Sequence, residues 1–415
     1  MHGRSRQVMV LGGVSAAAAL VFAANGQRAG RTPADYWMTA ETTSGIGGMI
    51  SGRSTRDMMS AMLGRGGGGA RFAHTLRLQL GSQQRPSSEP AAEHLPPGAL
   101  AVGPSLPLVS PRRDQASERP EPGSPGHYER PRGRILIFWG CGEHARSGQP
   151  AIIDFATLTA GKAAPLFRGV SLHQATAPSP ARFASYGEWP NARLARDVPP
   201  TGSLVGEHVV RGNYSPELRF TIGPAQDFLG PVRLGASATA ASGATSGAAS
   251  GASPITWQPI GTAQGWFVST IGGSASGDMV MWNSSEVQTA DLSADFIAGA
   301  DAARLVQQRV LLPRSADRCT VPAEVIAAAP QAMLSITAYG SEANWSYPPR
   351  PPRAPAGWQP DWTAKLRTKS TYRGMLGMAM PEMDVEGAAA GDRDRPAAKK
   401  RKRSIFDKLD NLVPR

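Results

Sequence analysis

The stretch RILIFWGCGE, Arg134–Glu143, decides the fold. Five consecutive apolar residues, Ile135–Trp139, run into two glycines that bracket a cysteine. The run is too short for an ordinary globular helix, its β-branched and aromatic members suit a strand, and the glycines suit a tight turn. The same signature recurs in TLRLQLGS (75–82), ELRFTIGPAQ (217–226), WFVSTIGGSA (266–275) and LSITAYGSEA (334–343). In DMVMWNSSE (278–286), Asn283 replaces the glycine. The spacing of these runs is irregular, which argues against a solenoid. They predict a mainly β chain, an antiparallel β-sandwich in which each strand gives one face to a core. A few short helices interrupt it. DAARLVQQRVLL, from Asp301, has helical spacing, and VPAEVIAAA after Cys319 reads as a second helix begun by Pro322.

Between the runs, composition marks boundaries. Residues 27–71 are small, polar and dotted with methionine, ending in four glycines, and read as a flexible lead-in. A first β-rich lobe is expected over 72–234, carrying a long Pro-rich loop at 83–133; an Ala/Gly/Ser linker at 235–254 separates it from a second lobe at 255–345. Residues 346–392 read as a Pro-rich and Met-rich spacer, with WSYPPRPPRAPAGWQPDW as an extended stalk, and 393–415 as a basic amphipathic tail. Loops and termini together predict extensive disorder. Within the second lobe, PITWQPIGTAQGWFVSTIGG (254–273) resembles the second and third strands of a fibronectin type III module: a strand tryptophan, a Pro/Gly loop, then a Gly-aromatic start to the next strand. The resemblance implies a loosely fibronectin- or immunoglobulin-like second lobe, and the two helices depart from it.

The formal net charge of +12 is unevenly placed. Residues 393–415 hold nine Lys/Arg against three Asp/Glu, so +6 sits in the tail; Arg4 and Arg6 add 2, leaving +4 for everything between. A basic nucleic-acid-binding body is therefore not required, and no specific nucleic acid is expected as a partner. At the N-terminus, HGRSR precedes the apolar run VMVLGGVSAAAALVFAA and the small residues Ala24-Asn25-Gly26. This is the pattern of a secretory signal peptide over 1–26, with an uncleaved membrane anchor as the alternative. Both export the rest of the chain. In an oxidising compartment the only two cysteines, Cys141 and Cys319, are expected to form one disulfide; the alternatives are free buried thiols and a Cys141/His144 metal or thiolate half-site. Alanine, arginine, glycine and proline usage suggests a bacterium of high genomic GC, hence periplasm or cell surface.

No catalytic motif stands out, and no cofactor is expected. There is no G-x-S-x-G and no H-E-x-x-H, and TAGKAA lacks the spacing and hydroxyl of a phosphate loop. The pairs Glu143-His144 and Glu207-His208 would point to opposite faces of a strand, which makes them surface histidines and not acid–base dyads. Tyr186, Glu188 and Trp189 form a candidate platform for sugar rings, the aromatic faces stacking and the carboxylate accepting hydroxyl hydrogen bonds. Met375, Met378, Met380 and Met383, with Met58, Met59 and Met62 as a weaker cluster, have the soft thioether chemistry that suits Cu(I). The tail is the sharpest feature. Lys399, Lys400, Arg401, Lys402 and Arg403 precede Ile405, Phe406, Leu409, Leu412 and Val413 at helical spacing, capped by Ser404 and stopped by Pro414. A segment of about ten residues is too short to hold a helix alone, so it is expected to order on an anionic membrane surface or an envelope protein. The leading expectation is an exported, non-catalytic structural or interaction protein of the bacterial envelope. The alternatives are an extracytoplasmic carbohydrate-binding or carbohydrate-acting protein, and copper handling through the methionines.

Overall fold

The computed structural model describes residues 33–46, 48, 72–111, 133–155, 176–235, 251–289 and 296–376. The chain is mainly β, with several sheets and two short α-helices among these residues. All six of the runs closed by glycine or Asn283 are strands: β2 (Phe72–Ser82), β5 (Arg134–Trp139), β9 (Leu218–Ile222), β11 (Gly265–Gly273), β12 (Met279–Asn283) and β15 (Met333–Tyr347). The glycine after β5 acts as expected, since Gly140 turns the chain with φ of 93°. Both helices form as well. They are α1 (Gly299–Gln307) and α2 (Ala323–Ala328), the latter following Pro322.

The largest sheet has ten strands. Its order is β6 (Ala151–Asp154), β5, β12, β11, β15, β16 (Trp362–Met375), β1 (Ala34–Gly45), β2 and β7 (Ser185–Trp189), with β13 (Leu312–Pro313) pairing to β11. Strands from both sides of residues 235–254 share this sheet; β5 pairs with β12, and β1 with β16. Those two pairs are parallel, a departure from the antiparallel expectation and from the all-antiparallel sheets of a fibronectin-like module. A four-stranded sheet follows the order β4 (Leu106–Leu108), β3 (Ala92–Leu95), β8 (Gly206–Gly212), β9, and β10 (Ser253–Thr256) pairs only with β14 (Arg318–Val321).

Three stretches read as loop, lead-in or spacer therefore carry strands. β1 lies within 27–71, β3 and β4 within 83–133, and β16 within 346–392. Their apolar faces are built from alternate residues diluted with Ala, Thr and Ser, as in Ala364, Leu366, Thr368 and Ser370, so no apolar run announces them. Tyr347–Trp362 consequently spans a hairpin loop, in which the chain turns back alongside β15 and does not lead away as a stalk.

Two apolar clusters lie behind the large sheet. In one, Tyr36, Met38, Leu78, Leu80 and Leu366 pack with Leu106, Val210, Leu218 and Phe220 of the four-stranded sheet. In the other, Val268, Trp282 and Ile336 pack with Trp257, Val321 and Val325. Each fully buried aliphatic side chain contributes roughly 1.5–3 kcal/mol relative to an exposed one. Cys141 and Cys319 form a disulfide beside the second cluster, with Cα atoms 5.3 Å apart and a sequence separation of 178. In the chain-entropy account, closing so long a loop stabilises the fold by about 5 kcal/mol. The bridge indicates an oxidising, extracytoplasmic setting. No helix among the described residues is long and apolar enough to cross a membrane.

Candidate functional site

Period-two alternation gives β1, β2 and β16 two faces of different chemistry. Tyr36, Met38, Leu76, Leu78, Ala364 and Leu366 point into the core. The alternate residues of the same strands are Asp35, Trp37, Thr39 and Glu41; Thr75, Arg77 and Gln79; and Lys365, Arg367 and Lys369. The parallel register sets Trp37 opposite Lys365, Thr39 opposite Arg367 and Glu41 opposite Lys369. β2 then sets Arg77 opposite Thr39, and β7 sets Glu188 opposite Gln79. The result is a lattice of alternating charge on one sheet face.

Its contacts are short and specific. Lys365 Nζ lies 2.5 Å from Glu342 Oε1, and Lys369 Nζ lies 3.4 Å from Glu41 Oε2, with all four side chains no more than 22% exposed. The Arg367 guanidinium carbon sits 4.6 Å from the ring centroids of both Trp37 and Phe296, and its Nη2 donates to Thr39 Oγ1 at 3.1 Å. Stacking on two rings supports a cation where water is scarce. Arg77 Nη2 donates to Glu188 Oε2 at 2.9 Å, and the Tyr186 hydroxyl donates to the same oxygen at 2.8 Å. Gln79 Nε2 in turn donates to the Tyr186 oxygen at 3.0 Å.

Between these ion pairs lies an open depression of about 490 Å³. Thr39, Glu41, Thr75 and Arg77 form its floor, while Glu188, Lys369, Phe296 and Pro190 border it. The electrostatics follow from burial. Desolvation raises the Asp35 carboxyl, with hydrogen bonds from Thr363 and Trp37 pulling it back. It also pushes the Tyr186 hydroxyl to about 12, so this group donates to Glu188 as a neutral phenol. For Arg77, partial desolvation works against the charge, and the bond and charge of Glu188 more than offset it.

The sequence-derived candidates divide across the two faces. Glu188 borders the depression and Tyr186 holds it in place. Trp189, one residue on, points the other way and is 1% exposed in the core, so the three do not form one platform. Gly187 between them has no room for a side chain, because a Cβ there would lie 2.7 Å from both the Leu108 carbonyl oxygen and the Tyr214 hydroxyl. Met375 ends β16 and pairs across the sheet with Met333, whereas Met378, Met380 and Met383, Met58, Met59 and Met62, and the tail from Lys399 to Val413 lie outside the described residues. Sequence reading missed Arg77, Glu41 and the Lys365, Arg367, Lys369 ladder. Its available signal was the every-second-residue spacing of the three cations in TAKLRTKS.

The histidine pairs also separate. His144 is on the surface, its Nδ1 3.2 Å from Glu324 Oε1. His208 is not on the surface but fully buried, because it closes a relay between the sheets: Tyr36 Oη to His94 Nδ1 is 2.5 Å, His94 Nε2 to His208 Nδ1 is 3.0 Å, and His208 Nε2 to the Leu204 carbonyl is 2.7 Å. The carbonyl can only accept, so His208 Nε2 carries a proton; with both imidazoles neutral, as burial favours, His94 Nε2 donates to His208 Nδ1 and the Tyr36 hydroxyl donates to His94 Nδ1. Burial lowers the pKa of both histidines, the charge of His208 adding to the effect on His94.

Comparison of the chain with protein-family models, with curated proteins and with solved structures returns no match. The functional reading therefore rests on the chain's own geometry.

Proposed function

We propose that the chain is an exported, non-catalytic interaction protein of the bacterial cell envelope, whose body binds a ligand in the depression over β1, β2 and β16. In this reading the ten-stranded and four-stranded sheets form a β-sandwich scaffold. The basic tail from Lys399 docks on an anionic membrane surface or on an envelope protein. One observation carries the ligand site: both carboxylates bordering the depression are held by cations, Glu188 by Arg77 and Glu41 by Lys369. A carboxylate so clamped is a well-oriented recognition group. The Cys141–Cys319 bridge supports export.

Intact mass of the native chain after cell fractionation, with and without reductant and thiol alkylation, tests the compartment. A chain shortened near residue 26, found outside the cytoplasm and alkylated only after reduction, is expected; a full-length cytoplasmic chain with two free thiols overturns the reading. For the tail, deletion of Lys399–Arg415 is expected to abolish binding to anionic liposomes or envelope fractions.

A second reading, carbohydrate binding, is favoured by the position of Glu188 at the depression, and binding on a glycan array lost in Glu188→Ala would support it. Copper handling rests on weaker ground, the cross-strand pairing of Met375 with Met333. Equilibrium dialysis that finds no bound Cu(I) would remove it.

A further inference from the structure

We infer that the depression takes a carboxylated sugar, the Arg77 guanidinium meeting the carboxylate while Glu41 and Glu188 accept hydrogen bonds from ring hydroxyls. The inference rests on the reading of the depression as a ligand site and deepens it to a ligand class.

The first argument is charge. Arg77 and Lys369 line the depression together with two carboxylates, Glu41 and Glu188, so its charges balance before a ligand arrives, while Arg367 lies outside the lining. Two of the cations are committed. Arg367 is stacked between two rings, and Lys369 sits 4.7 Å from the Phe296 centroid while bound to Glu41. Arg77 is different. Its side chain is 58% exposed, and beside the Nη2 bond to Glu188 and an interaction with the Tyr186 hydroxyl, its planar five-donor fork keeps further N–H groups. That fork matches a carboxylate in bidentate geometry.

The second argument is the acceptors. Glu188 Oε2 takes both the Arg77 and the Tyr186 bonds, and Glu41 Oε2 takes Lys369. Among the described residues, the Oε1 atoms of both carboxylates have no bonded partner, so each offers a fixed acceptor at the depression. Thr39 and Thr75 add hydroxyls on the floor, and Phe296 and Pro190 give an apolar wall for the C–H face of a ring. A volume of about 490 Å³ is of small-ligand size.

Other ligand classes fit less well. A polyphosphate or nucleic-acid backbone would meet two carboxylates in the same small site. A peptide added as a strand needs a sheet edge, and this floor is the face of paired strands. An apolar ligand would cover four charged groups without replacing their water.

Isothermal titration of the full chain tests the inference with four probes: glucuronate and galacturonate, glucose and galactose as neutral parents. Succinate serves as a carboxylate without a ring. The expected result is binding of at least one hexuronate at least tenfold tighter than its parent hexose, with the preference lost in Arg77→Ala. The unfolding midpoint of that variant, measured alongside, separates loss of the carboxylate contact from loss of the fold. Equal binding of hexose and hexuronate, or a preference that survives in Arg77→Ala, overturns the carboxylate assignment and leaves the sugar site standing. Succinate binding as tightly as the hexuronate overturns the hydroxyl contacts. Failure of every probe to bind overturns both this inference and the carbohydrate reading beneath it.

Discussion

One face of the ten-stranded sheet carries two regions that contradict ordinary expectation in opposite ways. Toward β15, β16, β1 and β2 it is charged, yet Lys365, Glu342, Lys369 and Glu41 are only 12–22% exposed. Toward β5, β12 and β11 it carries an apolar row in register, Ile137, Met281, Ile271, Met333 and Met375, of which Ile271 and Met333 are 45% and 55% exposed. The charges are covered, whereas Ile271 and Met333 are open. Pairing explains the first: a cation beside a carboxylate and an aromatic ring can lose water at tolerable cost. Nothing among the described residues covers the exposed members of the second. Polarity therefore told less about burial on this face than cross-strand partnership did.

Four measurements would break or sharpen that contrast. The largest effect is expected behind the apolar row, where Cys141 follows β5. Replacing both cysteines with alanine should lower stability by roughly 2–5 kcal/mol in urea unfolding. Amide exchange should rise first in β5, β6 and β12 and leave β1 and β16 protected; uniform loss of protection would mean that the two regions are not separately stabilised. Next comes the charged region. Lys365→Ala leaves Glu342 without its cation and with the Asn344 amide, 3.0 Å away, so destabilisation by about 2–3 kcal/mol is expected. A cost under about 0.5 kcal/mol would class the pair with ordinary surface ion pairs.

The third measurement concerns acid and the opposite face. Burial holds the pKa of His94 and His208 below the ordinary 6.5, so the native state resists protons that the unfolded chain accepts. Their contribution to stability is complete above about pH 6.5 and is lost as the pH falls below it. The slope is about 1.4 kcal/mol per pH unit for each proton taken up. Asp35 on the charged face acts with the opposite sign, since its raised pKa favours the protonated form on folding. His94→Phe should flatten the decline between pH 6.5 and 5 in urea titrations at stepped pH; an unchanged slope would dismiss the relay as its source. The smallest effect is Met333→Ala. At 55% exposure it should change stability by no more than about 0.5 kcal/mol, and a larger loss would reveal that the apolar row is covered.

Strand existence was legible wherever a short apolar run met a glycine, as in Ile135–Trp139 and Phe267–Ile271. It was not legible in β16, where cations at 365, 367 and 369 alternate with Ala, Leu and Thr and the local hydrophobic density is low. The candidate site failed for a related reason. Glu188 could be picked out from its own neighbourhood, but its partner Arg77 is 111 residues away and Lys369 reaches Glu41 only through the β1–β16 register. Trp189 misled because proximity in sequence was read as proximity in space, and a strand sends neighbours to opposite faces. The disulfide was legible because two cysteines permit one pairing.

The parallel pairing of β1 with β16 joins Ala34 to Trp362 and Gly45 to Arg373 in the middle of the sheet. β1, the first strand among the described residues, thus waits for β16, the last of them, to be synthesised. Until β16 emerges, one side of β1 presents unsatisfied amides and carbonyls, an invitation to pair with a wrong neighbour. The topology itself delays closure of the ten-stranded sheet until β16 is available.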